Sequence, residues 1–159
     1  MNNLTSSINV KQFNSIAELE QSRQEIAKRA QSAAKRAYAP YSKFNVGACV
    51  LLNNGQMIEG SNQENASYPC GICAERTAMF YANSTYPEAV PVAIAIAAFN
   101  NGKLLDEPIT PCGMCRQVLL ETETRYNSKL EVIMVGANHT YSVNSASDLL
   151  SLSFTKDVL

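Results

Sequence analysis

The run Val92-Ala93-Ile94-Ala95-Ile96-Ala97-Ala98 constrains the fold of this 159-residue chain more than any other segment. It is continuously small or apolar and offers no solvent-facing side, the pattern of a central strand covered on both faces. Such a strand needs helices above and below it. Ser15 followed by Glu18 reads as a capping box opening a helix, and Ile16, Leu19, Ile26, Ala30, Ala33 and Ala37 recur at helical spacing to about Tyr38. Pro40 stops that helix, because the residue before a proline is pushed out of the α region. A strand is expected over 44–52, then a tight turn at Asn53-Asn54-Gly55 and a returning strand over 56–61. Beyond a polar loop the pattern gives a helix over 72–83, the central strand, a second loop, a helix over 112–124 and a strand over 130–135. A turn over 136–140 and a short last helix from Ser147 follow. The expectation is one sheet covered by helices in a single domain, 14–159, preceded by a polar tail, 1–13.

Composition excludes several classes of function. Charged residues are 17% of the chain, and thirteen basic side chains against fourteen acidic ones leave a net charge of −1. A protein that binds duplex nucleic acid or a membrane surface normally carries a basic excess. The chain has no tryptophan for base stacking and no apolar run long enough to span a bilayer. MNNLTSSINV lacks the basic start and apolar block of a secretory signal. Five cysteines, an odd number, fit a reducing cytoplasm better than a disulfide framework.

Four of those cysteines form two C-x-x-C pairs, Cys70/Cys73 and Cys112/Cys115; the fifth, Cys49, lies in an apolar run and reads as buried filler. Two such pairs suit a closed four-cysteine zinc site, and one alone suits a redox pair. Glu75 favours a third arrangement. Cys73 begins one expected helix, and Cys112 and Cys115 stand i, i+3 at the start of another. Helix N-termini favour thiolates, so two helices can aim three thiolates at one zinc. Glu75 lies two residues past Cys73 and faces the same metal only if the ion sits off the helix end rather than beside it. Three ligands leave a fourth position for water, with Glu75 as its base. A four-cysteine site including Cys70 would leave Glu75 without a water to act on. Three thiolates and Zn²⁺ sum to −1, and Arg76 with the helix ends is available to offset that charge.

Cys73-Ala74-Glu75-Arg76-Thr77-Ala78 with Pro111-Cys112-x-x-Cys115-Arg116-Gln117 closely resembles the cytidine deaminases of pyrimidine salvage. Tyr41-Ser42-x-Phe44-x-Val46-Gly47-Ala48 is similar to the family's first strand and its lead-in, and Asn62-x-Glu64-Asn65-Ala66-Ser67-Tyr68 to its nucleoside loop. The resemblance implies a three-layer α-β-α fold with a mixed sheet of about five strands. It implies one zinc per subunit on Cys73, Cys112 and Cys115, attack of a metal-activated water on ring carbon 4, and Glu75 as the proton shuttle. It also implies that Asn62 and Glu64 hold the ribose hydroxyls, that Phe44 packs on the base, and that Ala74 lies at the substrate. Family members of this short type are homotetramers, and Tyr68 and Phe154 match positions that serve neighbouring active sites. Two departures stand out: Ser151 where the family often has proline, and Cys70 where cysteine is uncommon. His139, the only histidine, reads as a turn residue. A structural four-cysteine zinc module and a deaminase of a modified nucleoside are the competing readings.

Overall fold

The computed structural model describes residues 3 and 5–156; residues 1, 2 and 4 of the expected tail and 157–159 of the expected domain lie outside it. The elements run β1 (Lys11–Phe13), α1 (Gln21–Ala34), β2 (Phe44–Leu52), β3 (Met57–Ser61), α2 (Ala74–Thr85) and β4 (Pro91–Asn100). Then follow β5 (Lys103–Leu104), α3 (Gly113–Tyr126), β6 (Glu131–Val135) and β7 (Thr140–Val143). The sheet order is β1-β7-β6-β4-β2-β3, with β5 folded back on the end of β4.

Alternation along the two central strands sorts their side chains into two cores. Val46, Ala48, Val50 and Leu52 of β2 join Ile94, Ile96 and Ala98 of β4 beneath α2 and α3. Cys49, Leu51, Ala93, Ala95 and Ala97 point the other way, against Ile26, Ala27 and Ala30 of α1. The expected covering of β4 on both faces is present, and the layers are α-β-α. The face toward α1 is built from small residues, so that helix lies close. A Cβ on Gly47 would meet the Ala30 carbonyl oxygen at 2.0 Å and the Ala34 amide nitrogen at 2.3 Å.

Strand direction places the functional edge. β2 is antiparallel to both β3 and β4, so β3 and β4 run the same way, and β6 is parallel to β4. The segments β3–α2–β4 and β4–α3–β6 are therefore both crossovers between strands of one direction. Both helices consequently begin at the same edge of the sheet, outside the carboxyl ends of β3 and β4, where open α/β sheets place their ligands.

Three expectations are corrected. The sheet has seven strands rather than about five, because β1, β5 and β7 give weak sequence signals. Lys11–Phe13, inside the expected tail, pairs with β7. The Ser15 hydroxyl accepts from Ala17 N at 3.2 Å, but it caps a 3-10 turn, Ile16–Glu18. Buried Leu19 then takes an extended conformation, which delays α1 to Gln21.

The start of α2 rests directly on β3. A Cβ at Gly60 would come within 2.5 Å of Ala78 N and 2.7 Å of Ala74 O, both backbone atoms that cannot turn aside. Gly60→Ala is expected to lower stability by about 1–3 kcal/mol, the usual range for overpacking. Denaturant unfolding checks this, and an unchanged midpoint would show that α2 does not lie so close.

Candidate active site

Cys73 caps α2 and Cys112 caps α3; both have extended backbone and neither side chain makes a capping hydrogen bond. Their sulfurs are thus free to face outward from the helix ends, while Cys115 reaches the same point from the first turn of α3. The three Sγ atoms lie within 4.8 Å of one another, and Cys73 and Cys112 are 3.8 Å apart. Two ligands of a tetrahedral zinc with bonds of about 2.3 Å stand about 3.8 Å apart, so the spacing fits the ion. Among the described residues no other group of histidine, cysteine and acidic side chains gathers in this way.

The surroundings suit negative sulfur. A hydrogen bond from Cys115 lowers the Cys73 thiol to about 5, against the cost of burial and with help from Arg76 and Cys112. Cys115 is pushed up, first because its thiol hydrogen bond to Cys73 would be lost on ionising and then by burial, with the charges of Glu75 and Cys73 adding to both. Arg76 Nη2 donates to Cys73 Sγ at 3.9 Å, and its buried Nε has no partner. That orphaned N–H on the cationic side chain nearest the sulfurs is consistent with more negative charge at the site than neutral thiols supply.

Glu75 is only 4% exposed. Because Cys73 is a cap rather than a helical residue, the i, i+2 pair need not point apart, as expected for a site off the helix end. Burial raises the Glu75 carboxyl above the usual range. The charge on Cys73 adds to this, while its own backbone N–H, the Cys115 thiol and Arg76 oppose it. A carboxyl so placed holds and releases a proton nearer neutral pH than a surface glutamate does.

A cleft of about 890 Å³ opens above Glu75, lined by Phe44, Asn62, Glu64, Tyr68, Cys73 and Cys112, among others. Asn62 and Glu64 are stitched into the protein itself. Asn62 Oδ1 accepts from Val46 N at 2.7 Å and its Nδ2 donates to Phe44 O at 2.9 Å. Glu64 Oε2 accepts from Tyr41 N at 2.9 Å and Ser42 N at 3.3 Å, and Oε1 accepts from the Ser42 hydroxyl. The Ser42 hydroxyl donation, the largest influence, and the two backbone bonds hold Glu64 below the usual carboxylate range. Ser42 Oγ also accepts from Phe44 N at 3.0 Å, so one hydroxyl joins Glu64 to Phe44. The sequence reading gave Ser42 no role, although it stands in the Tyr41-Ser42-x-Phe44 pattern.

Ala74 and Phe154 do not line this cleft. Ala74 is fully buried against Gly60 and presents no surface to the cleft. Phe154, matched to a position that serves a neighbouring site, is exposed here, and its carbonyl accepts from Gln117 Nε2 at 2.9 Å. Tyr68 is 78% exposed at the mouth, edge-on to Tyr41. His139 pairs with Glu107, outside the sulfur cluster.

Cys70 lies in an exposed turn with its sulfur 3.6 Å from Ser67 Oγ, also outside the cluster, which argues against a four-cysteine module. Cys49 is buried, and burial first and Glu59 second push its thiol up to about 12. At pH 8 that leaves a reactive thiolate fraction of only about 10⁻⁴. A thiol reagent added to the zinc-loaded native protein is expected to modify Cys70 rapidly and Cys49 only after unfolding. Cys70→Ser removes the fast phase while zinc stays bound; zinc lost from that variant would return Cys70 to the ligand set.

Residues 20–142 match the family described as the cytidine and deoxycytidylate deaminase zinc-binding region. A cytidine deaminase of Halalkalibacterium halodurans is 48% identical over 99 residues, 62% of this chain and 70% of that protein. The cytidine deaminase of Sporosarcina psychrophila is 37% identical over 127 residues, 80% of this chain and 87% of that one. A crystal structure of cytidine deaminase from Burkholderia pseudomallei matches with a TM-score of 0.70 at 40% identity, covering 82% of this chain and 97% of its own. With the paired helix ends, the three sulfurs and the buried glutamate all inside the matched region, the chain belongs to the cytidine and deoxycytidylate deaminase family.

Proposed function

We propose that this chain is a zinc-dependent hydrolase that converts cytidine and deoxycytidine, with water, to uridine and deoxyuridine plus ammonia. The observation that carries the reading is the buried Glu75 carboxyl on the floor of a cleft, beside three sulfurs spaced for one metal ion. Cys73, Cys112 and Cys115 hold the zinc, which supplies a Lewis acid able to acidify water toward neutrality. Glu75 carries the protons, first to ring nitrogen 3 and then to the departing ammonia. Its raised pKa supports both duties, because a group that shuttles must bind a proton and release it in one turnover. Arg76 and the two helix ends draw negative charge from the thiolates, keeping the site able to polarise what it binds.

Remaining hydrogen-bond capacity supports the ribose assignment. Asn62 keeps one N–H and one lone pair, and Glu64, with three donors already placed, keeps about one of its four acceptor positions. A free donor beside a free acceptor suits sugar hydroxyls. Phe44, half-buried at the wall, offers a flat apolar face to the pyrimidine. The exposed rings of Tyr68, Phe80, Tyr81 and Phe154 support assembly into a homotetramer in which Phe154 serves a neighbouring cleft. Pyrimidine salvage in the cytoplasm is the setting that fits a small uncharged nucleoside substrate.

Glu75→Gln is expected to retain its zinc while losing about 10²- to 10⁴-fold in turnover, the span of general acid–base catalysis. Loss of cytidine absorbance, read beside metal content, measures both quantities. Normal turnover in that variant would remove Glu75 from the mechanism. Free cytosine consumed as fast as cytidine would remove the ribose role of Asn62 and Glu64.

A further inference from the structure

Cys112 is the least anchored of the three sulfur residues. It stands outside α3 with extended backbone and is exposed, whereas Cys115 is buried within the helix. Its position is therefore set by how the chain enters α3, and one side chain governs that entry. Arg116 Nε donates to the Pro111 carbonyl at 2.8 Å, and Nη2 donates to Thr110 Oγ1 at 3.0 Å. Nη1 reaches the opposite way, donating to the Leu149 carbonyl at 2.9 Å. The backbone N–H of Arg116 bonds Cys112 O at 2.9 Å, so the residue touches the entry through both main chain and side chain. All three side-chain acceptors are neutral, and the rigid guanidinium fork spans them in a way that a compact ammonium does not.

The C-terminal segment that Arg116 grips is held to α3 elsewhere as well. Farther along the helix, the Glu123 carboxylate accepts from Ser145 Oγ at 2.8 Å, Ala146 N at 2.9 Å and Ser147 N at 3.2 Å. Glu123 also accepts from Leu130 N at 2.7 Å, but it makes no bond to Thr110 or Pro111. Glu123 thus anchors the segment without touching the approach to Cys112. Arg116 does both.

We infer that Arg116 is a positioning residue for the metal centre: it clamps Pro111, and through it Cys112, against the segment around Leu149, so that zinc retention depends on a part of the chain that supplies no ligand. This rests on the zinc reading of the three sulfurs and is independent of the nucleoside assignment. A residue that merely stabilised the fold would lower the melting temperature without singling out the metal, and the two roles separate by experiment.

Zinc-loaded wild-type protein, Arg116→Lys, Arg116→Gln and Glu123→Gln are mixed with excess chromophoric chelator well below their unfolding transitions, and the zinc release rate is read beside the Tm. The two Arg116 variants are expected to release zinc about 10-fold faster or more, the scale on which groups supporting metal ligands act. Glu123→Gln is expected to release it within about twofold of wild type despite a lower Tm. Arg116→Lys keeps charge and stem length, and it decides the matter alone should Arg116→Gln fail to fold. Release from Arg116→Lys at the wild-type rate would overturn the inference, as would equal acceleration in Glu123→Gln. Wild-type protein that takes up no zinc would sink the metal-centre reading itself, an outcome distinguishable from both.

Discussion

Two helices start at one place, and that is electrically unfavourable unless something negative lies between them. Each N-terminus carries roughly half a positive charge and a set of unpaired backbone N–H groups, and Arg76 adds a full charge at the same spot. Sulfur answers this because a thiolate is stabilised by the field and, as a cap residue, can sit on the helix axis rather than beside it. The same surroundings that hold thiolates also temper them. Three sulfurs on a divalent cation leave one excess negative charge, and the helix ends with Arg76 withdraw it. Stability of the ligand set and electrophilicity of the metal are thus two readings of one field.

Topology brings the helix ends together, and close packing keeps them there. With β3 and β4 pointing the same way, α2 and α3 have to begin at one edge of the sheet. Gly60 then lets the α2 backbone settle onto β3. The other wall of the cleft, around Phe44, is held by polar bonds instead: Asn62 bridges two backbone groups of β2, and Glu64 gathers the turn before it. Lys43 in that turn adopts φ = 58°, a left-handed conformation that costs a non-glycine residue about 1 kcal/mol or more. The Glu64 carboxylate, bonding the residue on its N-terminal side, helps hold it.

Much of this was legible in the residues. β2, its hairpin, β4, β6 and the two metal-bearing helices carry local signals, either apolar runs or turn residues at the required places. β7 does not, because it buries Thr140 and Ser142, and Ser142 finds its partner, Glu131, only across the sheet. β1 is hidden for a similar reason: Lys11 and Gln12 are exposed, and only pairing with β7 makes them a strand. At the site, the sulfurs and Glu75 were readable because metal chemistry demands particular atoms at particular spacings. Resemblance alone set Asn62 and Glu64 beside a nucleoside, and nothing in the residues marked them as braces of the backbone, since an amide or carboxylate looks the same whichever group it bonds. Ser42 and Arg116 stood within recognisable patterns without a role, because what they do depends on partners distant in the chain.

The turn at Asn53–Gly55 sits at the opposite end of the strands from the sulfurs, tied to the start of β4 by paired bonds between Asn53 and Val90. The ten residues of β4 put roughly 30 Å between those two rims. The protein is therefore polarised along its strands: one rim carries the three sulfurs, Glu75 and Arg76, and the other carries the turn that reverses the chain. Neither helix start lies at the turn end, whereas the loop before Cys112 leads directly into one corner of the sulfur triangle, so chain length matters at the second place more than at the first.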